Sequence, residues 1–354
     1  NCQRDPFHSS QSMPLSQLSP SQKRKPRPKD VNTYDLIILG SGIAGLAAAR
    51  LAKKDNKSVL VVDKGRRLGG RVSTRRKNGF LFNHGAQFVT AKGNEFAALL
   101  ADARKAGSLK DWRIGPAKTV QIGTPSMRDL PQFMARGIEI RQQIEVTRVA
   151  HIGPHIGFFD DASLIARGRQ AIISAPAPQT ARLLANIYPD LAATAELAKY
   201  DPCWTIMLGL EAEIKPVGRL QDQFFPIRNE AAGISLAVPE TTRFADKPAL
   251  NNPTPAALTI QASGRWSQQY RDEDRQTVIA RLCAIWEEIS GQPLTPILEA
   301  SAHRWLYAKV TEVANENAPR HSDDKKMAIA GDWLTGPRVE QAFDSGTAAY
   351  LGLC

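Results

Sequence analysis

The chain has 354 residues, enough for one large core or two lobes that share an interface. Hydrophobic residues make up 42% and charged residues 23%, an ordinary globular balance, and no apolar run approaches the ~20 residues needed to span a bilayer. The net charge of +11 would suit nucleic acid, an anionic membrane surface or a phosphate-bearing small molecule. No zinc-ligand spacing or RNA-binding aromatic motif accompanies it, so nucleic acid is not expected and the small phosphorylated molecule is favoured. The cysteines Cys2, Cys203, Cys283 and Cys354 lie far apart, which predicts neither a disulfide framework nor a metal site. Their usage fits a reducing compartment and a cytoplasmic location, with organelle import compatible with the basic start of the chain.

In chain order, residues 1–32 are rich in Ser, Pro, Gln and Lys and read as a disordered basic tail. A short apolar run over 34–39 predicts a buried parallel strand. A helix over 43–53 and a second strand over 58–63 complete a βαβ unit. Alternation over 203–210 and 257–262 predicts an antiparallel sheet. Apolar residues Val278, Leu282, Ile285 and Ile289 predict a helix within 272–290, stopped by Gly291. Another short strand over 327–330 and a helix over 339–351 close the chain. The expected architecture is α/β and two-lobed, with a discontinuous Rossmann-type domain over 33–84, 136–182 and 300–354. Substrate-lobe segments occupy 85–135 and 183–299.

Gly40-Ser41-Gly42-Ile43-Ala44-Gly45 lies between the first strand and helix. Gly40 permits the turn, Gly42 lets a pyrophosphate approach the backbone, and Ala44 and Gly45 open the helix close to the strand. The helix N-terminus favours phosphate. Asp63 ends the next strand, where a carboxylate accepts bonds from ribose hydroxyls. This motif alone does not separate FAD from NAD. The following Leu68-Gly69-Gly70-Arg71 resembles the second FAD motif of the amine-oxidase superfamily. There Gly70 lets the backbone pass the cofactor and Arg71 reaches its pyrophosphate or flavin carbonyls. Ala330-Gly331-Asp332-Trp333, followed by the helix from Val339, matches a third signature. That signature implies a carboxylate on the ribityl chain and a helix N-terminus at the flavin. FAD is the expected cofactor, bound noncovalently.

Further segments resemble bacterial renalase-type proteins. They include Val72-Ser73-Thr74-Arg75, His84-Gly85-Ala86-Gln87-Phe88-Val89-Thr90-Ala91-Lys92, Asp201-Pro202-Cys203-Trp204 and Ala302-His303-Arg304-Trp305. The likeness covers roughly residues 34–350 in register. It implies FAD contacts at Asp63, Lys64, Arg71, Ala86, Gln87, Val146, Asp332 and Val339. It implies a substrate wall at Phe88, Val89, Thr90, Ala91, Lys92 and Trp333. The implied reaction is oxidation of isomeric dihydronicotinamide dinucleotides to NAD(P)+, with electrons passing to oxygen as hydrogen peroxide. Gln261 stands where the family often has His, Cys203 where relatives have Thr, and Arg338 follows Pro337 rather than glycine. Gln261 is expected to orient substrate. His303 is the one acid–base candidate, against a competing reading as a packed histidine between the lobes. An amine oxidase or desaturase of the same fold, and a flavin-binding subunit without turnover, are the alternative functions.

Overall fold

The computed structural model describes residues 32–161, 163–212, 214, 226–244, 256–294 and 296–354. The expected tail, apart from Asn32, lies outside them. Strand β1 (Thr33–Leu39), helix α1 (Ile43–Lys54) and strand β2 (Val59–Val62) form the opening βαβ unit. A hairpin, β3 (Thr74–Lys77) and β4 (Phe80–Asn83), turns at Asn78 and Gly79, both at positive φ, as a two-residue turn between twisted strands requires. Helix α2 (Asn94–Lys105), the hairpin β5 (Leu109–Gly115) and β6 (Lys118–Gly123), and helix α3 (Asp129–Met134) follow. Next come β7 (Glu139–Arg141), β8 (Arg148–Ile152), β9 (His155–Asp160), β10 (Ser163–Ile173), α4 (Ala177–Leu184) and α5 (Pro189–Glu196). The second lobe is β11 (Lys199–Leu210), β12 (Ile227–Asn229), β13 (Ile234–Pro239), β14 (Ala256–Ala262), α6 (Gly264–Gln269), α7 (Arg275–Ser290) and β15 (Ile297–Glu312). Strand β16 (Met327–Ile329) and helix α8 (Val339–Leu351) return to the first lobe.

The first sheet has seven strands in the order β7-β2-β1-β10-β9-β8, with β16 also on β10. Strands β7, β2, β1, β10 and β16 run parallel, and β8 and β9 add an antiparallel meander. Alternate residues divide between its faces. Leu36, Ile38, Val59, Val61 and Ile172 pack under α1 and α8, while Ile37, Leu39, Leu60, Val62 and Ile173 face α4 and α5. The second sheet is antiparallel, in the order β12-β13-β14-β11-β15. Its inner residues Ile206, Leu208, Leu258 and Ile260 share a core with α2, α7 and the β5–β6 hairpin. Asp274 caps α7 by accepting from the backbone N–H groups of Gln276 and Thr277, and Gly291 ends it at φ 69°.

The lobes change hands at places other than those expected. Leu191, Ala192 and Ala195 of α5 pack into the core of the first sheet. Strand β15 stays paired with β11 as far as Glu312. The antiparallel lobe therefore runs over 199–312 rather than 183–299, and the segment 300–312 belongs to its sheet. A 16-residue strand shows no turn residue at 299–300, and the Ala-rich helix α5 carries the composition of either lobe.

Candidate active site

The glycine loop does what a dinucleotide cradle needs. Gly40 sits at φ +105°, a backbone region that L side chains rarely adopt. A Cβ on Gly45 would lie 2.0 Å from the Gly40 carbonyl, so the helix can start this close to the strand only with glycine there. Gly42 differs: a Cβ placed on it meets nothing within 4 Å, and its φ of −73° suits any residue. The space before Gly42 is thus free for a ligand, and α1 begins there without a side-chain cap. These features fit an FAD pyrophosphate. Gly42→Val is expected to leave the apoprotein's melting temperature unchanged and to abolish flavin retention. Normal flavin content in that variant would count against the cradle.

Three further segments converge on the loop. Asp63 accepts from the Ser41 N–H at 2.6 Å, the Ser41 hydroxyl at 2.7 Å and the Gly65 N–H at 2.6 Å. Its Oδ1, which accepts only from Gly65, still keeps a lone pair for a ribose hydroxyl. Backbone bonds from Gln143 to Gly65 and from Ile144 to Asp63 bring Lys64 beside Glu145 and the buried Val146. Gly69 donates to the Ser41 carbonyl, and a Cβ on Gly70 would lie 3.4 Å from the Gly42 Cα. Helix α8 completes the wall: a Cβ on Gly346 would stand 2.0 Å from the Ala44 carbonyl, so α8 lies directly on the start of α1. Val339 opens α8 without a side-chain cap.

Arg71 and Asp332 meet each other. The guanidinium is bidentate on the carboxylate, at 2.8 and 2.5 Å, and also donates to the Tyr307 and Ala308 carbonyls. Burial opposes the charge on Arg71, but the Asp332 carboxylate outweighs it and raises the pKa. The pair joins the end of the Rossmann sheet to β15. The Arg71 carbonyl in turn accepts from the Ala86 N–H at 2.8 Å, which sets residues 84–87 against the cradle.

Above that segment stands one face of the second sheet. Gln261 of β14, Thr205 of β11 and His303 of β15 are direct cross-strand partners and so share a face. The Gln261 amide donates to the Gly85 carbonyl at 2.7 Å. Trp305, two residues beyond His303, donates its indole N–H to the His84 carbonyl at 2.9 Å. His84, His303 and Trp305 form an aromatic trio with ring centroids 4.3 to 5.4 Å apart. Burial, then the His303, Arg75 and Arg128 charges, lower the His84 pKa to about 3. Burial, then Arg75 and Arg275, lower that of His303 to about 4. Both rings are neutral at pH 7.

The geometry revises several expected roles. His303 is half-buried against the His84 and Trp305 rings, and a pKa pulled down to about 4 makes it a weak base at neutral pH. Trp333 has no exposed surface; it packs into the first-sheet core and donates to the Ala175 carbonyl at 3.2 Å, so it is not a substrate wall. Val89 is buried in the core and its backbone N–H and carbonyl both pair with Gln121, so it offers a substrate neither side chain nor main-chain polar group. The Gln87 amide donates to the Asn83 and Gly85 carbonyls and accepts from Arg243, so its side chain braces the loop beside the cradle. Phe88 and Thr90 are half-buried, while Ala91 and Lys92 are exposed. The Lys92 and Gly93 N–H groups both donate to buried Glu340, each at 2.6 Å, and Arg338 donates to Thr90 at 2.9 Å. The loop 88–93 is therefore strapped to the start of α8. Glu340 carries no sequence signal of its place here, and Arg338, His84 and Trp305, which stand in or beside the resembling segments, take no site role from the sequence. Only the spacing of Trp305 from His303 in one strand signalled a shared face.

Residues 38–103 match the model of an NAD(P)-binding Rossmann-like domain. A segment of 101 residues, 28% of this chain, is 35% identical to the all-trans-retinol 13,14-reductase of Danio rerio. Another of 70 residues, 20% of this chain, is 43% identical to the L-amino acid dehydrogenase of Synechocystis sp.. The matches span 17% and 15% of those relatives' own lengths. The solved cyclohexylamine oxidase from Brevibacterium oxydans superposes with a TM-score of 0.65 and 12% identity, covering 90% of this chain and 98% of that one. The fold is that of FAD-dependent oxidoreductases. Among the described residues no helix is long and apolar enough to cross a membrane, and no cluster of His, Cys, Asp and Glu is placed to hold a metal.

Proposed function

We propose that the chain is an FAD-dependent oxidase that takes hydride from isomeric dihydronicotinamide dinucleotides. FAD is the cofactor, held by the Gly40–Gly45 loop, Asp63, the Gly70–Arg71 turn, Asp332 and the start of α8. Bound there, it supplies a hydride acceptor and, on reoxidation by oxygen, hydrogen peroxide. The observation that carries the reading is the chemistry facing the cradle: two histidines with lowered pKa values, a tryptophan and an amide, and among these described residues no base poised near pH 7. A dihydronicotinamide loses hydride to become an aromatic pyridinium and needs no base, so orientation is sufficient. Gln261 is a positioning residue that fixes the Gly85 carbonyl, and Trp305 fixes that of His84.

The test is anaerobic mixing of the yellow protein with candidate reductants. Rapid bleaching by dihydronicotinamide isomers is expected. Bleaching by amines instead would favour an amine oxidase, and no bleaching by either would favour a subunit without turnover. Gln261→Ala is expected to slow reduction roughly tenfold, the loss of one orienting hydrogen bond of about 1.4 kcal/mol. An unchanged rate in stopped flow would remove Gln261 from the site.

A further inference from the structure

Six arginines from four separate stretches of chain gather around β3, and three of them, Arg75, Arg128 and Arg275, act on the two histidines. Arg66 and Arg67 follow β2, Arg75 and Arg76 lie on β3, Arg128 precedes α3, and Arg275 opens α7. Strand and hairpin geometry hold them together. Arg128 donates to the Thr74 carbonyl, and its own N–H donates to the Thr74 hydroxyl, which pins it against β3. Arg75 is half-buried on the same strand. Mutual repulsion is felt throughout: burial, then Arg275 and Arg66, lower the Arg75 pKa, while burial, then Arg67 and Arg76, lower that of Arg128.

Among the described residues none of the six has an ion-pair partner. The acids whose fields reach Arg75 and Arg128 are engaged elsewhere. Glu299 is bound by Lys77 at 2.6 Å and by Asn78 at 2.7 Å, and Asp129 accepts from the backbone and hydroxyl of Ser126 at 3.0 and 2.8 Å. Arg275 opens the 16-residue helix α7 next to the capping Asp274, whose carboxylate accepts from the Gln276 and Thr277 N–H groups. Arg75 and Arg128 are partly buried, and partly desolvated cations without ion-pair partners are costly unless an anion offsets them. Thr74 pairs with Asn83 and the Ser73 hydroxyl lies 3.4 Å from His84 Nε2, so β3 and the Arg128 pinned to it border the substrate face, and the arginine charges act on His84 and His303.

We propose that Arg75, Arg128 and Arg275 form a subsite for the diphosphate of a dinucleotide substrate, on the rim of the aromatic trio. This rests on the dihydronicotinamide reading, since a simple amine carries no diphosphate. Forked guanidiniums suit that ligand, because each presents paired donors to phosphate oxygens.

The test uses the flavin-loaded protein and inorganic pyrophosphate, and needs no turnover. Calorimetric titration is expected to show saturable binding, weakened at least tenfold in Arg75→Ala/Arg275→Ala, whose flavin content stays at the normal level. Arg275→Glu, a change at an exposed helix start that favours acids, is expected to weaken binding similarly without disturbing the fold. Wild-type protein that fails to bind pyrophosphate would overturn the subsite. So would variants that bind it equally well, or flavin loss in the double variant, which would assign the cluster to the cofactor. Anaerobic reduction by dihydronicotinamides tests the parent reading separately. Pyrophosphate binding without such reduction would leave a diphosphate site on an enzyme of other chemistry.

Discussion

Glu240→Ala is expected to lower the free energy of unfolding by about 3–5 kcal/mol, the usual loss when one member of a buried ion pair is removed. Glu240 and Arg243 have side-chain exposures of 5% and 1% and pair at 2.8 Å. The Glu240 carboxylate also accepts from the Asn83 backbone and amide, at 2.8 Å each, and from the Thr259 hydroxyl at 2.9 Å. Removing it strands three hydrogen-bond donors and a full charge whose pKa burial already pulls down. Glu240→Gln keeps part of the network and should lose less. The damage should reach the site, because Arg243 donates to the Gln87 carbonyl at 2.6 Å and so holds the loop that carries Gly85 and Ala86. Urea unfolding of the two variants, with flavin content measured alongside, checks both claims. A loss below about 1 kcal/mol for Glu240→Ala would show that the pair is relieved by solvent.

That network also marks the limit of what the sequence discloses. The βαβ unit was legible because strand burial on both faces leaves continuous apolar runs, and because Gly40 and Gly45 are forced by backbone contacts. Helix α8 was legible to the residue, and the pairing of β11 with β14 followed from alternation. Glu240 and Arg243 were not: an acid and a base three apart after a short strand look like a solvated turn. Only tertiary closure by Asn83 and Thr259 makes them core. Trp333 failed for the converse reason, since a tryptophan beside a cofactor motif reads as a stacking surface, whereas its indole fills the sheet's far side. Arg71 and Asp332 were each assigned to the cofactor, yet residues 261 positions apart carry no sequence signal that they grip one another.

The rate of flavin reduction by the true substrate is expected to stay level between about pH 6 and 8. An ordinary histidine titrates in that interval. Here burial holds His84 to about 3 and His303 to about 4, so neither changes charge there. Gln261 cannot titrate at all. A dihydronicotinamide has no proton to lose before hydride leaves, so neither substrate nor site imposes a slope. An amine substrate behaves otherwise. It reacts as the neutral base, so its rate should climb tenfold per pH unit until the ammonium is titrated. The same shifted histidines have a consequence for folding, with a definite sign. Their folded values lie below the unfolded value of 6.5, so the unfolded chain binds more protons between pH 6.5 and 3. The stability they contribute is complete above pH 6.5 and is lost as pH falls through that window. For the well-buried His84 the slope is about 1.4 kcal/mol per pH unit. His84→Phe should flatten this acid limb in urea titrations while leaving the level reduction profile at pH 6–8. If reduction instead rises tenfold per pH unit, the hydride donor is not a dihydronicotinamide and the amine reading takes its place.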